Sequence, residues 1–276
     1  PVAQVTRLDP EMLAQDRKDD GVTPDQIRFC GAIRVGYRDG EPPFSFEDAS
    51  GRLIGHDIDL AHILAADLGV QLELVPVTRE QTAEMLNSGA IDSVISGVAV
   101  TVDRAVEMEF TIPYLDQTLA FVVLDHRRSQ FATRDSVKAL RGLVVAVPDL
   151  EHLKSGVSAY LPQAEIVVLE SPRRFFESHD PTWDALVYSA EAGSVWTLLH
   201  PEFSVVISQP DVIRLPLALP VALGNETLRT FLNSWIDLKR RDRTLDRLYD
   251  YWFLGKTDDT AAPRWSVIRN VLGWVH

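Results

Sequence analysis

The apolar positions change period several times along the chain, and each change marks an element. IRVGY at 33–37 is a compact apolar run and reads as a buried strand, followed by the loop RDGEPPFSFEDASGR, whose Pro42 and Pro43 disfavour a helix. In HDIDLAHILAADLG, apolar residues at 58, 60, 63, 64 and 68 follow a helical spacing that stops at Gly69. VQLELVPV then reads as a strand, EQTAEMLNSG as a helix and IDSVISGVAV at 91–100 as a third strand. Two strand–helix–strand units in succession predict a largely parallel α/β sheet.

The second half repeats this grammar less completely. LAFVVLD at 119–125, LRGLVVAV at 140–147, AEIVVLE and FSVVIS at 203–208 read as strands, and EHLKSGVSAYL as a helix. Crossings near 122–126 and 214–222 would enclose a middle lobe, so the pattern predicts two lobes with a cleft and a hinge crossed twice. NETLRTFLNSWIDLKRRDRTLDRLYDYWF reads as one helix whose Leu228, Phe231, Leu232, Trp235, Ile236, Leu238, Leu245, Leu248 and Tyr249 cover the first lobe. The expected organisation is an N-terminal extension at 1–28, lobe 1 at 29–122 and 218–256, lobe 2 at 123–217, and a C-terminal tail at 257–276. Within the extension, Asp9 and Pro10 are suited to start a short helix. The tail's WSVIRNVLGWV is expected to be a docked helix, with a junction to a larger protein as the alternative.

Composition narrows the partners. The chain has 276 residues, 46% of them apolar, and carries 27 Lys and Arg against 40 Asp and Glu, a formal charge of −13. Nucleic acid and anionic membrane surfaces are therefore poor partners, although a local positive site for a small anion remains compatible with that balance. Cys30 is the only cysteine, so an internal disulfide and a cysteine-based zinc cluster are excluded. Asp57 and Asp59 do not make a metal site by themselves, and no cofactor is expected. The start PVAQVTRLDPEML lacks the basic and apolar regions of a signal peptide and reads as a trimmed or mature end.

The pieces IRVGY, PPFSF, GRLIGHDIDLA, LNSGAIDSVISGVAVTVDRAVEMEFTIPY, LRGLVVAV and WDALVYSAEAG, taken in order over roughly residues 30–255, resemble the family 3 extracellular solute-binding proteins. That resemblance implies an α/β, two-lobed type II periplasmic-binding fold that closes on a small solute and delivers it to an inner-membrane permease or a fused transporter. It also implies a monomer in the periplasm. At the T-x-x-R unit it gives Arg104 the role of forking onto a ligand carboxylate, with backbone amides and hydroxyls of the preceding segment completing the anion site. The chemistry fits, because a guanidinium offers paired planar donors matched to a carboxylate, and Thr101 is placed to cap a short helix starting at Val102. A solvated surface arginine is the plain alternative.

Several positions depart from the family pattern. Ala99 lacks the hydroxyl that threonine or serine supplies there, leaving Ser96 as a nearby hydroxyl and Gly97 for close backbone approach, or both as ordinary structural residues. Where an aspartate usually meets the ligand amine stands Ser189, with Glu191 two residues later as a substitute or as a helix-start carboxylate. Arg79 replaces a stacking aromatic, and either joins Arg104 on a dicarboxylate or acidic amino acid or pairs with Glu80 or Glu84. Glu41 accepts an ammonium if it points inward, and Pro148 and Asp149 replace a glycine–threonine pair in the closing loop. Phe44 is expected to support its loop, and Asp57 to secure the strand–helix connection.

The resulting expectation is a non-enzymatic receptor that captures a small carboxylate by lobe closure for transport. A ligand-sensing domain and a cyclohexadienyl-dehydratase-like enzyme on the same fold are alternatives. For the enzyme, Glu191 and Glu41 are the acid candidates, and the G-x-S-x-G, Walker and H-E-x-x-H signatures are absent.

Overall fold

The computed structural model describes residues 5–9, 22–48, 50–148, 157–158, 160–178, 180–210 and 212–255. The chain divides into two compact units, the first formed by 1–115 and 216–276 and the second by 116–215. Both are α/β, and the chain passes between them twice, on strands β8 (Leu115–Leu124) and β13 (Arg214–Leu217). This is the topology of the type II periplasmic-binding fold.

Unit 1 is built on a parallel sheet of β1 (Val5–Arg7), β5 (Gln71–Pro76), β2 (Ala32–Tyr37) and β6 (Ser93–Val94), in that order. Strand β2 is covered on both faces, which is why its sequence is almost continuously apolar instead of alternating. The segment expected to be an N-terminal extension contributes β1, pairing Val5 with Leu72 and Arg7 with Leu74 at the sheet edge. The expected Asp9–Pro10 helix start falls partly outside the described residues.

Helix α2 (His56–Leu68) begins after Gly55 and ends at Gly69, whose φ of 72° provides the left-handed stop. Gly55 is required by space: a Cβ there would lie 2.1 Å from the Phe44 carbonyl oxygen, at a φ of 141°. The first free N–H groups of α2 are taken by the preceding loop, with His56 donating to Pro43 O at 2.9 Å and Asp57 to Phe44 O at 3.0 Å. Helices α3 (Thr82–Asn87) and α4 (Val102–Glu107) are short, and Thr101 caps α4 by accepting the Arg104 N–H at 3.3 Å.

Two elements differ from expectation. The predicted strand at 91–100 pairs with β2 only at Ser93 and Val94. Gly97 turns the chain with a φ of 61°, after which Val100 donates to Pro216 O at 2.9 Å and Ala99 bridges Leu217, so the segment leaves the sheet for the returning chain. The predicted single C-terminal helix is two, α8 (Glu226–Arg241) and α9 (Thr244–Trp252), separated where Arg243 adopts a φ of 63°. Leu228, Leu232, Trp235 and Ile236 of α8 and Leu245 of α9 are buried in the core of unit 1, whereas Leu238 of α8 is 60% exposed.

Unit 2 has the sheet order β10 (Glu165–Leu169), β9 (Val144–Pro148), β11 (Ala185–Ser189), β8 and β12 (Phe203–Val206), with β13 also paired to β8. The first three strands are parallel, and β8 is antiparallel to both β11 and β12. A 3₁₀ helix at 125–131 and α5 (Arg134–Ala139) occupy the polar stretch after β8. Helices α6 (Pro172–Ser178) and α7 (Ala190–Leu199) pack through Phe175, Phe176 and Trp196. Most of the predicted helix EHLKSGVSAYL and the whole C-terminal tail from 256 lie outside the described residues. No helix among the described residues is long and apolar enough to cross a membrane.

Candidate functional site

Three neighbouring parallel strands of unit 1, β5, β2 and β6, end on the same edge of their sheet, where the crevice of an open α/β sheet receives ligands. The residues that follow their carboxyl ends are Arg79, Arg38 with Glu41, and Ser96 with Gly97 leading to Arg104. All three guanidinium groups and Glu41 lie close enough for their charges to act on one another.

Arg104 is half-buried and one of its Nη atoms donates to the Ala99 carbonyl at 2.9 Å. Ala99, lacking the hydroxyl, thus contributes a main-chain acceptor that orients the guanidinium. Burial lowers the Arg104 pKa to about 10, repulsion from Arg38 and Arg79 acts in the same direction, and Glu41 opposes them. The group stays charged at neutral pH. Among the described residues it has no carboxylate within ion-pair distance.

Arg38 is a member of this cluster that motif reading missed. Its Nη2 donates to Ser96 O at 2.5 Å and to Gly97 O at 3.4 Å, while its buried Nε has no hydrogen-bond partner. Burial lowers its pKa, Glu41 raises it and Arg79 lowers it. The available signal was positional: a charged residue immediately beyond the carboxyl end of a buried parallel strand.

Arg79 pairs with Glu41, Nη2 to Oε1, at 2.9 Å, and not with Glu80 or Glu84 as one expectation had it. Both side chains are about one-third exposed, at 31% and 29%. Exposed Glu80 is held below the usual carboxylate range, first by its own backbone N–H and the Thr78 hydroxyl, with Arg79 and Arg38 adding attraction.

Ser96 and Gly97 sit against this cluster, but their polar groups are engaged internally. The fully buried Ser96 hydroxyl accepts from the Arg38 N–H at 3.0 Å and meets the Ser45 hydroxyl at 2.5 Å, and Ser45 also donates to the Arg38 carbonyl. The Gly97 N–H donates to Asp57 Oδ2 at 2.5 Å, so neither group stands open as an anion donor in this structure. Asp57 is buried and also accepts from the Tyr114 hydroxyl at 2.6 Å, while its other oxygen meets His56 Nδ1 at 2.7 Å. This network ties the start of α2 to the turn that presents Arg104. Phe44 closes it from above: its ring lies 3.2 Å from the space a Gly97 Cβ would fill and packs edge-on against His56 and Phe253.

The candidates of unit 2 serve the start of α7. Ser189 is buried at the end of β11 and caps the helix, accepting the Ala192 N–H at 3.1 Å. Glu191 is half-buried, and both its oxygens lie 3.2 Å from the Thr118 N–H of β8. Burial raises its pKa, with the hydrogen bonds from its own and the Thr118 N–H opposing. Asp149 lies outside the described residues. No group of three or more His, Cys, Asp and Glu side chains among the described residues is arranged to hold a metal ion.

The profile of the bacterial extracellular solute-binding proteins, family 3, matches residues 33–255. The chain is 24% identical over 231 residues to a cyclohexadienyl dehydratase of Pseudomonas aeruginosa, covering 83% of this chain and 85% of that protein. Among solved structures it is similar to the ancestral amino acid-binding protein AncCDT-1, a precursor of cyclohexadienyl dehydratase, with a TM-score of 0.72 and 29% identity over 83% of this chain and 99% of that one. It is also similar to an ancestral arginine-binding protein bound to glutamine, with a TM-score of 0.67 and 28% identity over 81% of this chain and 98% of that one.

Proposed function

Because the chain belongs to the bacterial extracellular solute-binding proteins, family 3, we propose that the solute it captures is a small dicarboxylate, held through its carboxylates by the arginines of unit 1. The observation that carries this reading is the charge of the cluster. Arg38, Arg79 and Arg104 stand together, and among the described residues only Arg79 has a carboxylate partner there, Glu41. Guanidinium groups that repel one another in a partly desolvated site are stabilised by a ligand of opposite charge, and a planar carboxylate matches their donors.

The same charges argue against a cationic solute such as arginine, for which one of the similar structures is named. Of the candidate ammonium partners, Ser189 is uncharged and capping a helix and Glu191 is engaged with Thr118, which leaves a neutral amino acid only Glu41, a carboxylate already paired with Arg79. Binding through Arg104, Arg79 and Arg38 of unit 1, followed by lobe closure, is the proposed cycle. A ligand that makes contacts only in the closed form shifts the population toward it. Delivery to an inner-membrane permease, residence in the periplasm and a monomeric state complete the proposal.

Titration calorimetry with succinate, glutarate, L-glutamate and L-glutamine tests it. The expected result is strongest binding to a dicarboxylate, weakened by about 2 kcal/mol or more in Arg104→Ala, as for the loss of a desolvated charged contact. Tighter binding of L-glutamine, unchanged in Arg79→Ala, overturns the dicarboxylate assignment.

One observation favours a second reading. Glu191 is a half-buried carboxyl whose pKa burial raises, the property a general acid needs in a dehydration, and the Pseudomonas aeruginosa relative is a cyclohexadienyl dehydratase. Formation of an aromatic, ultraviolet-absorbing product from a cyclohexadienyl acid, abolished in Glu191→Gln, would establish this reading.

A further inference from the structure

We propose that Glu41 is an internal counter-ion that occupies Arg79 when the site is empty and is displaced by the second carboxylate of the solute, making it a specificity residue. The inference rests on the dicarboxylate reading and adds what that reading lacks, a reason for a carboxylate inside an anion site.

The backbone of Glu41 is held in a tight turn independently of its side chain: its N–H donates to Ser45 O at 2.9 Å, and its carbonyl accepts from the Phe44 N–H at 2.8 Å and the Ser45 N–H at 3.1 Å. The carboxylate can therefore swing away without unmaking the loop. Its contact with Arg79 is a single 2.9 Å hydrogen bond between side chains that are each about one-third exposed. Such a pair is accessible to solute and individually weak. Its electrostatic effect nevertheless extends over the cluster, because Glu41 offsets the pKa lowering of both Arg38 and Arg104. In the empty site it relieves repulsion among the three guanidinium groups. In the occupied site that relief comes from the ligand, and Glu41 becomes a competitor.

Two opposite consequences follow for selectivity. A simple dicarboxylate must displace Glu41, so its affinity is reduced by the strength of the Glu41–Arg79 pair. An acidic amino acid also brings an ammonium, which the released Glu41 carboxylate can accept. Glu41 thereby narrows the preference for simple dicarboxylates over acidic amino acids.

The experiment is calorimetry of wild type, Glu41→Gln, Arg79→Ala and the double variant with glutarate, succinate and L-glutamate, together with thermal melts with and without ligand. In Glu41→Gln the dissociation constant for the preferred dicarboxylate is expected to fall about two- to fivefold, the range of an exposed ion pair. L-Glutamate should bind no tighter than to wild type. The melting temperature of the empty protein should fall while the ligand-induced rise grows, a divergence that a purely structural role does not produce. The gain should vanish in the Arg79→Ala background. If wild type binds a dicarboxylate through Arg104 but Glu41→Gln binds it equally or less well, Glu41 is not a competitor and this inference falls while the dicarboxylate reading stands. If wild type binds no dicarboxylate, both fall. Should Glu41→Gln not fold, as judged by circular dichroism, Glu41→Ala takes its place in every comparison with the same criteria.

Discussion

A single carboxyl shows how burial makes a residue's role depend on pH. Glu191 has its pKa raised in the folded protein, chiefly by burial. Folding therefore favours its protonated form. The stability linked to that protonation is fully present below the ordinary glutamate value of 4.5 and is lost as pH rises through the raised folded value. A glutamine cannot ionise and can still accept the Thr118 N–H. Glu191→Gln is accordingly expected to raise the melting temperature at pH 7–8 relative to wild type, with the difference shrinking as pH falls through the raised folded value and absent below the ordinary value of 4.5, in thermal melts across a pH series. A difference independent of pH would show that the carboxyl is not desolvated. The sequence marked Glu191 as a possible substitute for the aspartate that Ser189 replaces, but whether it faces solute, solvent or the Thr118 N–H depends on strand β8, which lies 73 residues away in the chain.

At the scale of elements, glycines and caps carry much of the site's geometry. Gly55 lets the loop bearing Phe44 cross over the start of α2, and that loop in turn packs Phe44 on Gly97. Gly55→Ala would force its Cβ to within 2.1 Å of the Phe44 carbonyl oxygen. The loss in a urea melt should be about 3 kcal/mol or more, in the range of strained-backbone and overpacking substitutions. The long helix α2, its Gly69 stop and the Thr101 cap were legible because they depend on neighbouring residues. The strand at 91–100 was not, because β-branched residues satisfy a strand pattern whether or not a partner strand is present beyond Val94. Likewise, the helical period continues through residues 226–252, and only the left-handed Arg243 breaks it.

The molecule as a whole is organised around separate hydrophobic cores. The buried clusters containing Leu64 and Leu86 belong to unit 1, and those containing Phe131 and Phe176 to unit 2. Leu64→Ala and Phe176→Ala should each cost about 2–5 kcal/mol, and their double variant should lose the sum of the two within about 0.5 kcal/mol, measured by denaturant unfolding. A large departure from additivity would mean that the two cores are coupled. The amino-acid sequence by itself determined the α/β class, the two passages between units, the principal helices and the candidacy of Arg104, because hydrophobic period, glycine stops and the T-x-x-R unit are local signals. Only the tertiary structure decided that Arg38 joins Arg79 and Arg104, that Glu41 is the partner of Arg79, and that Ser96 and Gly97 have their polar groups engaged internally. Those contacts join residues dozens of positions apart, and the competition among a carboxylate, a backbone carbonyl and a neighbouring guanidinium is resolved by distance and burial, which no local pattern encodes.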